Sequence, residues 1–193
     1  MGSKPEHQAE TSDLELLDSL RPEEQEALAH FKDFSDYLNC GLRGGALGEK
    51  LTRYCDALDS AVRKGRTTKP LTLYRATCAH YVPVVAGTEF QDLAFVSTSL
   101  CLGGLVGFYC ADAPVKLVID YPAGSALACF PYDSGGGGEN ERLLPRGTKF
   151  RVLASREIED RAAILREQCT TSDRGELYLQ RGAKLLVLHV GVV

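Results

Sequence analysis

No basic excess marks this sequence: 22 Lys and Arg stand against 26 Asp and Glu, a net charge of −4. A protein that grips nucleic-acid phosphates normally carries the opposite balance, so nucleic acid is not an expected partner. No apolar run approaches the ~18–20 residues of a membrane-spanning helix, so no membrane partner is expected either. Cysteine is plentiful, with seven residues, yet no Cys-x-x-Cys pair occurs, and the four histidines (His7, His30, His80, His189) are scattered. Zinc motifs bring their ligands close in sequence, so no metal is expected. An odd cysteine count also argues against a disulfide framework, and reduced thiols in a cytosolic setting are the better reading. No apolar segment follows Met1 to Glu6 as a signal peptide would require. Glu6 also stands where a myristoylation motif needs Ser or Thr. The expected location is cytoplasmic, or export into a host cell without a conventional signal peptide. No dinucleotide fingerprint is present, since Gly103-Gly104-Leu105-Val106-Gly107 has the wrong spacing. There is no internal repeat and no linker.

What is there suffices for one core. Apolar residues make up 44% of the chain, and the length matches a single domain at the usual ~100–200 residues. Residues 1–12 are polar and read as a disordered tail, leaving 13–193 as one domain, expected to be monomeric. Residues 13–65 read as helical. Pro22 suits a first helical position, with Glu23, Glu24 and Glu26 near the positive end of the helix dipole. Past a glycine-containing break, Leu47, Leu51, Tyr54, Leu58 and Val62 form an amphipathic stripe, and Gly65 is placed to stop it.

From Pro70 the period shortens. Residues 71–76, 94–100, 115–121, 141–144, 149–153, 176–179 and 184–190 are strand-like, punctuated by Pro and Gly. Residues 156–168 fit a helix or a charged hairpin. Helices first and strands after, without βαβ alternation, predict an α+β fold with antiparallel sheets.

Polar groups inside three apolar strands are the candidates for chemistry. Arg75 shares a strand face with Leu71 and Leu73, so it lies at an exposed strand end or faces an anion. Ser97, Thr98 and Ser99 end an apolar strand. Glu139 and Glu141 point to one face of an extended chain, about 7 Å apart, which is costly unless a cation visits or one carboxyl takes a proton. Each alone has an ordinary reading: a surface ion pair, turn chemistry, a solvated strand face. Their order and contexts together say more.

Leu73-Tyr74-Arg75, then Phe95-Val96-Ser97-Thr98-Ser99-Leu100, then Glu139-Asn140-Glu141-Arg142-Leu143-Leu144-Pro145-Arg146-Gly147-Thr148-Lys149-Phe150 resemble the mono-ADP-ribosyltransferases of the Arg-Ser-Glu class. That class includes clostridial binary toxins, bacterial effectors and vertebrate ecto-transferases. The last segment is a twelve-residue match. Residues 20–43, with Asn39 and Leu42-Arg43, resemble the helical preamble of the family, so the resemblance spans about residues 20–190. Three features depart from it: Ala76 stands where Gly is frequent, the stretch from Ser99 to Val115 is short, and four glycines precede Glu139.

The resemblance implies N-terminal helices packed on two antiparallel sheets in a β-sandwich. It implies transfer of ADP-ribose from NAD to a protein side chain, with nicotinamide released and no metal needed. Positive charge develops at the anomeric carbon as in glycoside cleavage. By matching position, Glu141 bonds the nicotinamide ribose and stabilises that charge, Arg75 binds an NAD phosphate, and Ser97 orients the site by bonding Glu141 or the nicotinamide side. Ala76, Thr98, Ser99 and Phe108 complete the implied NAD contacts, with Tyr109 as the alternative stacking ring. Glu139 selects an arginine acceptor, because a carboxylate can attract the guanidinium and take its proton. Phe130 and Tyr132 occupy the position of target recognition. The implied function is thus that of a protein-arginine mono-ADP-ribosyltransferase of a bacterial effector or toxin. NAD hydrolysis, or a catalytically silent module that binds a partner, are the alternatives.

Overall fold

The computed structural model describes residues 11–45, 47–105, 109, 112–130, 140–168 and 184–193. The expected strand at 176–179 lies outside them, as do Phe108, Tyr132 and Glu139. The helical region forms α1 (Thr11–Ser19), α2 (Pro22–Gly44) and α3 (Glu49–Lys64). Helix α1 thus begins inside the segment expected to be a disordered tail. Pro22 opens α2 as its composition predicts, and Gly45, at φ 68°, closes it in the left-handed region that glycine enters freely. Gly65 ends α3 for another reason. Its φ of −74° is ordinary, but a Cβ there would sit 1.8 Å from the Leu127 carbonyl oxygen. Close approach to the strand layer, not a left-handed turn, requires this glycine.

Among the described residues eight strands follow: β1 (Leu71–Cys78), β2 (Glu89–Gln91), β3 (Val96–Ser99), β4 (Pro114–Tyr121), β5 (Ala128–Cys129), β6 (Glu141–Leu144), β7 (Lys149–Ile158) and β8 (Leu185–Val192). The ambiguous 156–168 stretch divides. Strand β7 runs through Ile158, and α4 (Arg161–Glu167) begins after Asp160, whose side chain caps the Ala163 amide at 2.8 Å. The α+β class holds. The strands run in the order β2-β7-β8-β4-β1-β3-β6-β5, and every pairing is antiparallel except β4 with β8. Strand β8, antiparallel to β7 on one side, therefore lies parallel to β4 on the other, an exception to the antiparallel sheets expected from sequence.

One register pair, Tyr74 with Ser99, joins β1 to β3. Five strands lie on one side of this seam and three on the other, and the two parts fold over each other. Leu73, Leu117, Ile119, Phe150, Val152 and Val190 of the larger part pack with Val96 and Leu144 of the smaller. The opposite face of the smaller part carries Phe95, Ala128 and Leu143 against Leu28, Phe31, Leu58 and Val62 of α2 and α3. The period-2 alternation of β3 and β6 thus feeds two different cores. Outside the larger part, Ile164 of α4 packs on Val118 and Val187. Buried Lys116 fastens α4 by pairing with Glu167.

Candidate active site

Arg75 stands on β1 one residue beyond the Tyr74–Ser99 pair, where the two parts of the sheet separate. Its side chain is half-buried, and Nη1 donates to the Ser97 carbonyl at 2.8 Å. It forms no ion pair among the described residues. Burial is the main influence on the guanidinium and pushes its pKa down. The Asp92 carboxylate opposes this, Arg43 adds to it, and Glu141 and Asp36 oppose it. An arginine keeps its proton regardless. The outcome is a desolvated cation with a neutral hydrogen-bond partner, an arrangement that costs free energy until an anion arrives.

Glu141 opens β6 directly opposite Ser99. Only 15% of its side chain is exposed, and Oε2 lies 3.6 Å from Lys32 Nζ of α2. Asn140 leads into it with φ 44°, the one non-glycine residue with positive φ among those described. Asn tolerates that region better than most residues. Its carbonyl is held by the Leu100 amide at 3.1 Å, which fixes where β6 begins and so where Glu141 sits.

The three hydroxyls of β3 divide by face. Thr98 is buried and donates to the Arg142 carbonyl at 2.8 Å, locking β3 to β6. Ser99 donates to the Cys101 carbonyl at 2.7 Å and accepts from the Cys101 amide at 3.0 Å, shaping the turn after β3. Ser97 is half-buried, and its hydroxyl bonds no described residue. No Ser97–Glu141 hydrogen bond forms.

Two groups act on Arg75 electrostatically: Arg43, which the sequence places only in the helical preamble, and Asp92, which the sequence does not single out. Arg43, near the end of α2, makes a two-pronged pair with Asp92, Nε to Oδ1 at 3.0 Å and Nη2 to Oδ2 at 2.8 Å. Asp92 also accepts from the Ala94 amide at 3.0 Å, while its main chain bonds Thr148 and Gly147. A single aspartate in a loop carries no pattern that would announce this role. A hollow of about 470 Å³ lies elsewhere, lined by Asp56, Asp59, Ser60, Arg63, Lys64 and Arg146. Arg146 is already paired with Asp59 there, and Lys64 with Glu24.

The family model for the ADP-ribosyltransferase exoenzymes matches residues 9–180. The chain belongs to the ADP-ribosyltransferase exoenzyme family. Solved ADP-ribosylating toxins have a similar fold. Plx2a, an ADP-ribosyltransferase toxin from Paenibacillus larvae, is 18% identical with a TM-score of 0.70, over 94% of this chain and 91% of that one. The ADP-ribosylating toxin BECa of C. perfringens, solved with NADH, is 17% identical with a TM-score of 0.74, over 94% of this chain and 46% of that one. C3stau2 from S. aureus, solved with NAD, is 17% identical with a TM-score of 0.65, over 94% and 92%. No curated protein matches the chain.

Within this exoenzyme fold the remaining site candidates fall as follows. Ala76 packs on the opposite side of β1 from Arg75, beside Leu105, Tyr109 and Ile164. Tyr109 is buried in that cluster. Phe130 is 4% exposed and lies stacked on Phe31, with ring centroids 6.1 Å apart. Lys32 Nζ stands 5.6 Å from its centroid. The ring expected to face a target protein is therefore a core ring. Phe108, Tyr132 and Glu139 are outside the described residues.

Proposed function

We propose that the chain transfers ADP-ribose from NAD to an arginine side chain of a target protein, releasing nicotinamide, as part of a bacterial effector or toxin. The observation that carries this reading is the placement of Arg75 and Glu141 on the strands flanking β3, at the seam between the two parts of the sheet. One is a desolvated cation with no ion pair among the described residues. The other is a largely buried carboxylate close enough to act on it electrostatically.

These residues suit NAD. The Arg75 fork matches the paired oxygens of a pyrophosphate, and docking there offsets the cost of its burial. Glu141 is an acceptor suited to a ribose hydroxyl. NAD supplies the glycosidic bond, whose cleavage builds positive charge at the anomeric carbon. The Glu141 carboxylate stabilises that charge because it is fixed beforehand, by Asn140 behind it and by the Ser99 register opposite. The Ser97 hydroxyl, bonded to no described residue, is available to orient either the carboxylate or the nicotinamide side. Two residues before Glu141 in sequence, Glu139 attracts the incoming guanidinium and takes its proton as the new bond forms. The chain carries this out in a cytoplasm, its own or that of a host.

Mass spectrometry of proteins from cells expressing the chain tests the reading. ADP-ribose on arginine, absent with Glu141→Ala, is the expected result. Glu139→Gln should abolish arginine labelling while nicotinamide release persists. Modification confined to other residue types would remove the arginine assignment. Nicotinamide release with no labelled protein at all would point to NAD hydrolysis instead.

A further inference from the structure

Cys78 closes strand β1, and the chain turns at once, with the Tyr81 amide bonded to the Cys78 carbonyl at 3.0 Å. This turn carries His80. Across the ladder Cys78 pairs with Pro114 at the start of β4, and the Ala79 amide bonds the Ala113 carbonyl at 3.0 Å. Asp112 enters from that side. The Cys78 thiol, an imidazole nitrogen of His80 and a carboxylate oxygen of Asp112 therefore gather within 4.8 Å of one another. The sequence conceals the cluster, because Asp112 lies 34 positions from Cys78 and only the β1–β4 register joins them.

We propose that Cys78, His80 and Asp112 form a binding site for a zinc ion, independent of NAD and of the proposed transfer reaction. Sulfur, imidazole and carboxylate are the three donor types zinc takes, and three protein ligands with a fourth position open to water is an established zinc arrangement. Tetrahedral zinc at its usual bond lengths sets ligand atoms about 3.3–3.6 Å apart. His80 Nε2 and Asp112 Oδ2 already lie 3.7 Å apart on exposed side chains, within a few tenths of an ångström of that ligand spacing. Cys78 is buried and supplies the fixed corner on a hydrogen-bonded strand. On binding, the thiol gives its proton to solvent as the Zn–S bond forms. The bound ion ties the turn after β1 to the segment entering β4. The absence of closely spaced ligands in sequence does not bear on such a site, since its spacing is set by strand pairing.

Calorimetric titration of the metal-stripped full chain with zinc chloride tests the site, with cobalt chloride as a second probe. One equivalent should bind and raise the melting temperature. Cobalt should give a thiolate charge-transfer band. Cys78→Ser, His80→Ala and Asp112→Asn should each weaken zinc binding by about tenfold or more. The cobalt band should vanish in Cys78→Ser and survive in Cys40→Ser, which alters an exposed thiol elsewhere on the surface. Asp112→Asn removes a carboxylate from the cluster, so its zinc affinity should fall by more than any change in the melting temperature of the metal-free protein. Absence of stoichiometric binding, or affinity unchanged in all three variants, would overturn the site. A cobalt band that persists in Cys78→Ser would do the same.

Discussion

Arg75 on β1 reaches across to β3 and donates to the Ser97 carbonyl at 2.8 Å. That bond spans a seam where the strands share a single register pair. The guanidinium thus has two tasks: it holds the seam, and it keeps a desolvated positive charge facing the gap.

Arg75→Lys separates these tasks. The charge survives, but the planar fork does not, and an ammonium cannot hold two oxygens while bonding a carbonyl in the same plane. NAD affinity should fall roughly tenfold, equivalent to ~1.4 kcal/mol. Titration calorimetry with NAD is the measurement, and an unaltered dissociation constant would show that Arg75 does not hold the pyrophosphate.

Glu141→Gln should act on the chemical step. Glutamine keeps the shape and one acceptor oxygen but removes the negative charge that stabilises the developing cation. Turnover should drop by about 10²–10³-fold, while NAD affinity changes by no more than about twofold. The fold should tolerate the change. The contact with Lys32 is long at 3.6 Å and the lysine is 30% exposed, so the ion pair contributes about 0–1 kcal/mol. Single-turnover nicotinamide release separates the chemistry from binding. A proportional loss of NAD binding would reassign the residue to ground-state recognition.

The helical stripe of α3, the strands β1, β3, β4 and β6, and the α+β class were legible because each follows a local rule of period or turn chemistry. Arg75, Ser97 and Glu141 stood out as candidates only through the company of their neighbours. Much of the twelve-residue motif turns out to build the fold: Gly147, at φ 78°, turns β6 into β7, Arg146 pairs with Asp59, and Leu143 and Leu144 fill opposite cores. What escaped has no local signature. Strands β2 and β5, of three and two residues, are too short for a period to show. Asp92 gains its role from Arg43, 49 positions away. Phe130 was placed at target recognition by the resemblance alone, and only the packing of Phe31 decides that it is buried. Lys116 received no role from the sequence, yet it is 2% exposed because α4 covers that face and supplies Glu167.

Gly65 offers a test of packing where the sequence pointed to a turn instead. Alanine there would place its Cβ 1.8 Å from the Leu127 carbonyl oxygen, a backbone atom with no room to retreat. The layer of helices must then lift from the strands, at a cost of about 3 kcal/mol. Gly45→Ala, with open space around it but φ 68°, should cost about 1–2 kcal/mol from backbone strain. Urea denaturation of both variants should rank Gly65→Ala as the more damaging. The reverse order would mean that α3 ends through a left-handed turn after all.

Glu24 ties a share of the acid stability to one named carboxylate. Its side chain is fully buried. It accepts from Lys64 Nζ at 2.6 Å, Ser60 Oγ at 2.6 Å and the Arg21 amide at 2.7 Å. Burial alone would raise its pKa, but the hydrogen bonds from Lys64, Ser60 and Arg21 prevail and bring it from 4.5 down to about 2. The folded state therefore holds its proton less tightly than the unfolded chain, so the stabilisation is complete above pH 4.5 and disappears as pH falls through about 2. Glu24→Gln should be less stable than wild type at neutral pH by ~1–3 kcal/mol. The gap should close as acid is added across that window, because wild type loses the stabilisation that the variant never had. Urea midpoints for both proteins, measured in steps from neutral to strongly acidic pH, give the comparison. A gap that stays constant through the window would assign the acid sensitivity to other carboxylates.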